Sequence, residues 1–193
     1  MRLVLFGPPG SGKGTQATDL CAHIGIPAIS TGSIFRAMGE QGGPLAETVL
    51  SYIDRGEFVP DEVTNQVVRE RLAEDDARNG FLLDGYPRNR DQVLFLDAML
   101  AEQGLGLDAA IKLVVPTEVI IERLANRAQT EHRADDDTQV IRHRIDVYEH
   151  ETLPLGEMYS ERGILHEIDG TGSIDEVGAR LRALAETLTK VSH

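Results

Sequence analysis

The sequence predicts an α/β fold: a five-stranded parallel sheet between two helical layers, α/β/α. Short apolar runs alternate with longer amphipathic stretches along all 193 residues. Three of those runs are too continuously apolar for a half-exposed sheet, which suits strands covered on both faces. The first run also passes through a glycine-rich turn straight into a helical pattern, a strand–loop–helix junction.

The elements follow in order. Residues 3–6 form the first continuous apolar strand, and a helix is expected over 15–24. Residues 28–30 read as a short second strand. Residues 31–59 are too long for one connection and are expected to hold short helices, broken at Gly42-Gly43-Pro44 and Gly56. A helix over 61–73 starts after Pro60 with two acids, which favour the positive end of the helix dipole. Residues 81–83 and 109–115 are the third and fourth strands, with a helix over 90–100 between them. Apolar spacing predicts a helix over 117–124, whereas 126–137 is polar, ends in three Asp and has no apolar period. It reads as a second excursion from the sheet. Residues 164–168 are the fifth strand, and a last helix over 174–188 has Ser173 and Glu176 placed as a capping box.

The chain carries 19 basic and 32 acidic side chains, a formal net charge of −13. Sixteen of the basic residues are Arg, and the three Lys are Lys13, Lys112 and Lys190. That balance excludes a non-specific nucleic-acid binder, which needs a sustained basic surface, and an anionic membrane surface would repel the chain. A small polyanion must instead be held by a few well-placed cations, mostly Arg, so a positive cleft in a negative surface is expected. The hydrophobic share of 41% fits a globular core. No apolar run approaches the ~18 residues of a membrane span, and the amino-terminal one is too short for a signal peptide, so a cytoplasmic protein is expected. Cys21 is the only cysteine, which excludes an intrachain disulfide and a Cys-built zinc site, and the six His show no paired metal spacing.

Gly7-Pro8-Pro9-Gly10-Ser11-Gly12-Lys13-Gly14-Thr15 joins the first strand to its helix, the setting of a phosphate-binding loop, or P-loop. Glycines let consecutive N–H groups of Gly10, Ser11, Gly12 and Gly14 turn inward as an anion nest, and the helix adds its N-terminal partial charge. Lys13 would reach the outer phosphates, and Thr15 is the hydroxyl candidate near Mg²⁺. Gly14 stands where the usual pattern has Ser or Thr. Residues 81–84 end a buried apolar triplet in Asp84, at the sheet edge where α/β folds bind ligands. That carboxylate can hold Mg²⁺, directly or through its water shell, or serve as a simple loop cap. Arg123 and Arg127 share a helix face; their spacing is that of a phosphate clamp and equally of a solvated helix end.

The loop in its Gly-x-Pro-Gly-x-Gly-Lys-Gly-Thr form resembles that of adenylate kinases and their nucleoside monophosphate kinase relatives. Asp84-Gly85-Tyr86-Pro87-Arg88, with Gln92 four residues on, is similar to the signature of the same family. So are Ser30-Thr31-Gly32-Ser33 with Arg36, where Ser33 replaces the usual Asp, and Gly56-Glu57-Phe58-Val59-Pro60-Asp61. Arg123, Arg127, Arg133-Ala134-Asp135-Asp136 and Arg144 match the family's lid in its short form, without cysteines. The resemblance runs in order along essentially the whole chain.

What it implies is a single domain over 1–193, with a core of 1–29, 60–125 and 138–193, a helical NMP-binding insert at 30–59 and a short lid at 126–137. It implies ATP held by Gly10 to Thr15, Arg123, Arg127 and Gly172. AMP is implied at Thr31, Arg36, Glu57, Phe58, Val59, Gly85, Tyr86, Pro87, Arg88, Gln92, Arg133 and Arg144. The implied catalytic set is Lys13, Arg88, Arg123, Arg133 and Arg144, with Mg²⁺ near Thr15 and Asp84 through water. The implied activity is ATP:AMP phosphotransfer giving ADP, by a monomer. Uridylate/cytidylate kinases commonly carry Ala at the position of Thr31 and Asn at that of Gln92. A slow ATP-hydrolysing switch would have no need of the second arginine-lined site. Asp169-Gly170-Thr171-Gly172 fits a GTPase Asp-x-x-Gly, but the guanine motif Asn-Lys-x-Asp is missing from the sequence.

Overall fold

A computed structural model describes residues 1–131 and 138–191. Its strands are β1 (Arg2–Phe6), β2 (Ala28–Ser30), β3 (Phe81–Asp84), β4 (Ala109–Val114) and β5 (Leu165–Asp169). All pair in parallel, in the order β2-β3-β1-β4-β5. The connections leave β1 in opposite directions, so a crevice opens beyond its carboxyl end, where such sheets bind ligands. The alternation of strand side chains builds two cores. Val4, Phe6, Leu83 and Ala110 face one side, and Leu3, Leu5, Leu82, Ile111 and Leu113 the other. Both faces are buried, which is why the runs are continuously apolar.

Helices α1 (Lys13–Ile24) and α9 (Ile174–Val191) cover the second face through Ala17, Leu20, Val177 and Leu181. Helices α4 (Asp61–Leu72), α5 (Arg90–Ala101) and α8 (Leu155–Glu161) cover the first. The capping box forms: Ser173 N–H donates to Glu176 Oε2 at 2.8 Å and Glu176 N–H to Ser173 Oγ at 3.3 Å. Cys21 is buried against α9, and burial pushes its thiol up to about 12.

The excursion after β2 holds α2 (Thr31–Gln41) and α3 (Pro44–Asp54), divided at Gly42-Gly43 as expected. It has its own small core of Phe35, Val49 and Val59, with Val63 and Val67 of α4 packed beneath. The second excursion departs from expectation. Helix α6 (Thr117–Glu131) runs seven residues past Leu124, so Arg127 belongs to the same helix as Arg123. Helix α7 (Thr138–Val147) packs Ile141 against Ile120 and Leu124 at the root of α6. A π-helical turn, Tyr148–Thr152, and helix α8 follow, neither marked by a clear sequence signal. Among the described residues no helix is long and apolar enough to cross a membrane.

Candidate active site

Two cavities meet beyond the carboxyl ends of β1 and β3. The first is lined by the loop from Pro9 to Thr15, with Asp84, Arg123, Arg127 and Gly172. The loop keeps its curl because its glycines accept backbone angles other residues resist. Gly10 has φ +80°, and a Cβ on it would come 2.7 Å from Leu124 Cγ of α6. Lys13 folds back over the loop, its ammonium donating to Gly7 O at 2.8 Å, Pro8 O at 2.9 Å and Ser11 Oγ at 3.4 Å. Burial lowers its pKa to about 8; Asp84 opposes that fall, and Arg88, Arg144 and Arg127 add to it.

Arg123 donates to Ser11 O at 3.3 Å, Gly170 O at 3.0 Å and Gly172 O at 3.3 Å, bracing the phosphate loop against the β5–α9 turn. Arg127, one helical turn on, lines the same cavity. Thr15 is exposed at the first turn of α1. Asp84 is 8% exposed and points toward that turn, its Oδ2 3.7 Å from where a Cβ on Gly14 would stand. One buried carboxylate and one hydroxyl lining the same cavity are a donor set that fits Mg²⁺, which keeps several waters and shares the rest of its shell with phosphates.

The second cavity is built from side chains that already hold one another. Gly85 O accepts from Thr31 Oγ1 at 3.0 Å and from Arg88 Nε at 2.7 Å. Gly85 has φ +76°, and a Cβ there would stand 3.0 Å from Arg88 Nη2. The Arg88 guanidinium lies over the Phe58 ring at 5.0 Å. Ser30 Oγ caps α2 by accepting from Ser33 N–H, and the short Ser33 side chain accepts from Arg36 Nη2 at 3.3 Å. Glu57 lines the cavity while pairing with exposed Arg55 at 2.9 Å. Val59 contributes from the insert's core, and Pro87 and Gln92 complete the wall.

Tyr86 is placed differently from its implied role at the acceptor. Its side chain is 1% exposed in the core behind the wall, with the hydroxyl donating to Asn65 Oδ1 at 2.7 Å. Burial raises its pKa, and the charge of Asp61 adds to the rise. Thr152 is a residue the sequence reading missed. It donates to Arg88 O at 2.7 Å from the π-helical turn, a place no periodicity marks. Arg133 lies outside the described residues.

Lys13, Arg36, Gly85, Arg88 and Arg144 line both cavities. Among the described residues the carboxylates lining them are Glu57 and Asp84, so seven cations meet two acids there. That is the positive cleft expected of a chain with net charge −13.

Comparison with known proteins agrees with this geometry. The adenylate kinase family model matches residues 5–164. An adenylate kinase of Thermobifida fusca (strain YX) is 54% identical over 180 residues, covering 93% of this chain and 95% of that one. One from Micrococcus luteus is 55% identical over 180 residues, covering 93% and 88%. One from Nocardioides sp. (strain ATCC BAA-499 / JS614) is 54% identical over 181 residues, covering 94% and 95%. With its loop, its second arginine-lined cavity and these matches over nearly all its length, the chain belongs to the adenylate kinase family.

Proposed function

We propose that this protein catalyses MgATP + AMP ⇌ MgADP + ADP and so interconverts the adenine nucleotides. The observation that carries the reading is the junction of the two cavities at Lys13, Arg36, Arg88 and Arg144. ATP lies on Gly10 to Thr15, with Gly172 beside its adenine. AMP lies between Thr31, Arg36, Glu57 to Val59 and Arg88, with Gln92 reading its base. Thr15 and Asp84 would hold Mg²⁺, which when bound would neutralise charge on the transferring phosphoryl group.

An anionic oxygen of AMP forms a bond to the γ-phosphorus while the bond to the ADP bridging oxygen breaks. No proton has to be removed from the acceptor, so the chain needs no general base. Its residues position and neutralise. Lys13 exchanges its loop carbonyls for phosphate oxygens, Arg36 and Arg88 fix the acceptor, and Arg123, Arg127, Arg133 and Arg144 gather the charge of the phosphoryl chain. Water competes with AMP for the phosphoryl group, which gives the insert at 30–59 and the lid at 126–137 their task as flaps that exclude it. The protein acts as a cytoplasmic monomer in this reading.

A coupled assay over AMP, CMP, UMP and GMP tests the proposal. AMP is expected to be the preferred acceptor, and rapid turnover of UMP with none of AMP would overturn it in favour of a pyrimidine nucleotide kinase. ATP hydrolysis unchanged by AMP would instead indicate a switch.

A further inference from the structure

We propose that Asp61 is a positioning residue that sets which way round the Gln92 carboxamide sits, and thereby makes the acceptor site select a 6-amino over a 6-oxo purine. A carboxamide has two N–H donors and two oxygen lone pairs, and its two ends are nearly equal in shape. Left to itself it presents either end to a base. Here three groups with fixed hydrogen-bonding character remove that freedom. The Arg88 backbone N–H, which can only donate, gives to Gln92 Oε1 at 2.7 Å. The Gln92 backbone N–H gives to Asn89 Oδ1 at 2.9 Å, so Asn89 must turn its amino group outward. That amino group reaches both Asp61 oxygens, at 3.1 and 3.0 Å. Asp61 Oδ1 then accepts from Gln92 Nε2 at 2.6 Å.

An ionised carboxylate can only accept, so the amino end of Gln92 is held at Asp61 and the oxygen end at Arg88. One N–H and one Oε1 lone pair remain, in a fixed order, for a ligand in the cavity that Gln92 lines. Adenine offers an amino donor at C6 and an acceptor at N1, the partner pattern of that edge. A 6-oxo purine offers the reverse, an acceptor at C6 and a donor at N1, and would be matched only by a flipped Gln92. The proposal rests on Gln92 reading the acceptor base.

The test measures kcat/KM for AMP and IMP in the wild type, Asp61→Asn, Gln92→Ala and the double variant, with thermal unfolding of each. Asn at 61 keeps the size but offers one oxygen to two donors, and its amino group faces one of them. Of the two contacts that orient Gln92 only the Arg88 N–H then remains, so a turn of the carboxamide sacrifices one hydrogen bond instead of two. Asp61→Asn is expected to lower the AMP-to-IMP ratio by about tenfold, by raising activity on IMP relative to AMP, with KM for ATP unchanged. In the Gln92→Ala background the same change should leave the ratio where it stands. If Gln92→Ala itself leaves the ratio intact, the base-reading role of Gln92 is wrong. If Gln92→Ala collapses the ratio while Asp61→Asn lowers AMP and IMP activity in parallel, Asp61 supports the fold alone and the proposal fails. A lowered melting point with an unchanged ratio overturns it equally.

Discussion

The two sides of the cleft, donor and acceptor in the proposed reaction, are built by opposite means. The donor side is made largely of main chain, a glycine loop whose one cation is tied back onto its own carbonyls. The acceptor side is made of side chains that hold each other, Thr31 and Arg88 on Gly85, and Gln92 between Asp61 and Arg88. Backbone amides recognise phosphate without regard to the base, while an interlocked set of side chains can distinguish one base from another. In the proposed reaction the contrast teaches where discrimination would reside: in the side-chain network on the acceptor side.

The largest effects should divide along that line. Lys13→Ala and Arg88→Ala are each expected to reduce transfer about 10³-fold, the loss typical of removing a key transition-state contact. Binding measurements separate them. Lys13→Ala should weaken ATP and leave AMP affinity intact, and Arg88→Ala the reverse. Near-wild-type transfer in the first would contradict the loop assignment, and undiminished AMP affinity in the second would contradict the acceptor assignment.

A smaller effect concerns pH and belongs to the donor side only. Lys13 has an ordinary pKa of 10.5 in the unfolded chain and about 8 in the folded one. Between those values the unfolded state binds the extra proton, so Lys13 makes stability rise as pH climbs from about 8 toward 10.5. Denaturant titrations of the wild type and Lys13→Met over that range should differ by this rise. Bound phosphates favour the ammonium, so above about pH 8 ATP binding should take up a proton, detectable by calorimetry in buffers of different ionisation heat. AMP binding should take up less.

The smallest effect sharpens the acceptor side. Thr152→Val removes the hydrogen bond to Arg88 O, a loss of about 1 kcal/mol. Steady-state kinetics should show KM for AMP rising about fivefold while KM for ATP stays constant. Equal changes in both would show that Thr152 supports the whole cleft.

Much of this was legible in the residues, for identifiable reasons. β1, β3 and β4 are buried on both faces and had to be continuously apolar. The phosphate loop needs glycine where Leu124 approaches Gly10, so its spacing is written in the sequence. What stayed hidden lacked an apolar face. Beyond Leu124, α6 continues with Ala125 and Asn126 exposed, and helix-forming residues such as Arg127 and Ala128 propagate it without any hydrophobic period. The partners of Gln92 were equally invisible, because Asp61 is 31 residues away and meets it only through the packing of α4 beside α5. Tyr86 shows the converse: a motif position beside the site whose side chain the core has claimed.

Leu124 is fully buried and wedged against Gly10. The contact seats the root of α6 directly on the phosphate loop. Any side chain at position 10 would have to displace Leu124, and with it the helix that carries Arg123 and Arg127. One glycine therefore sets how closely two elements far apart in the sequence can approach.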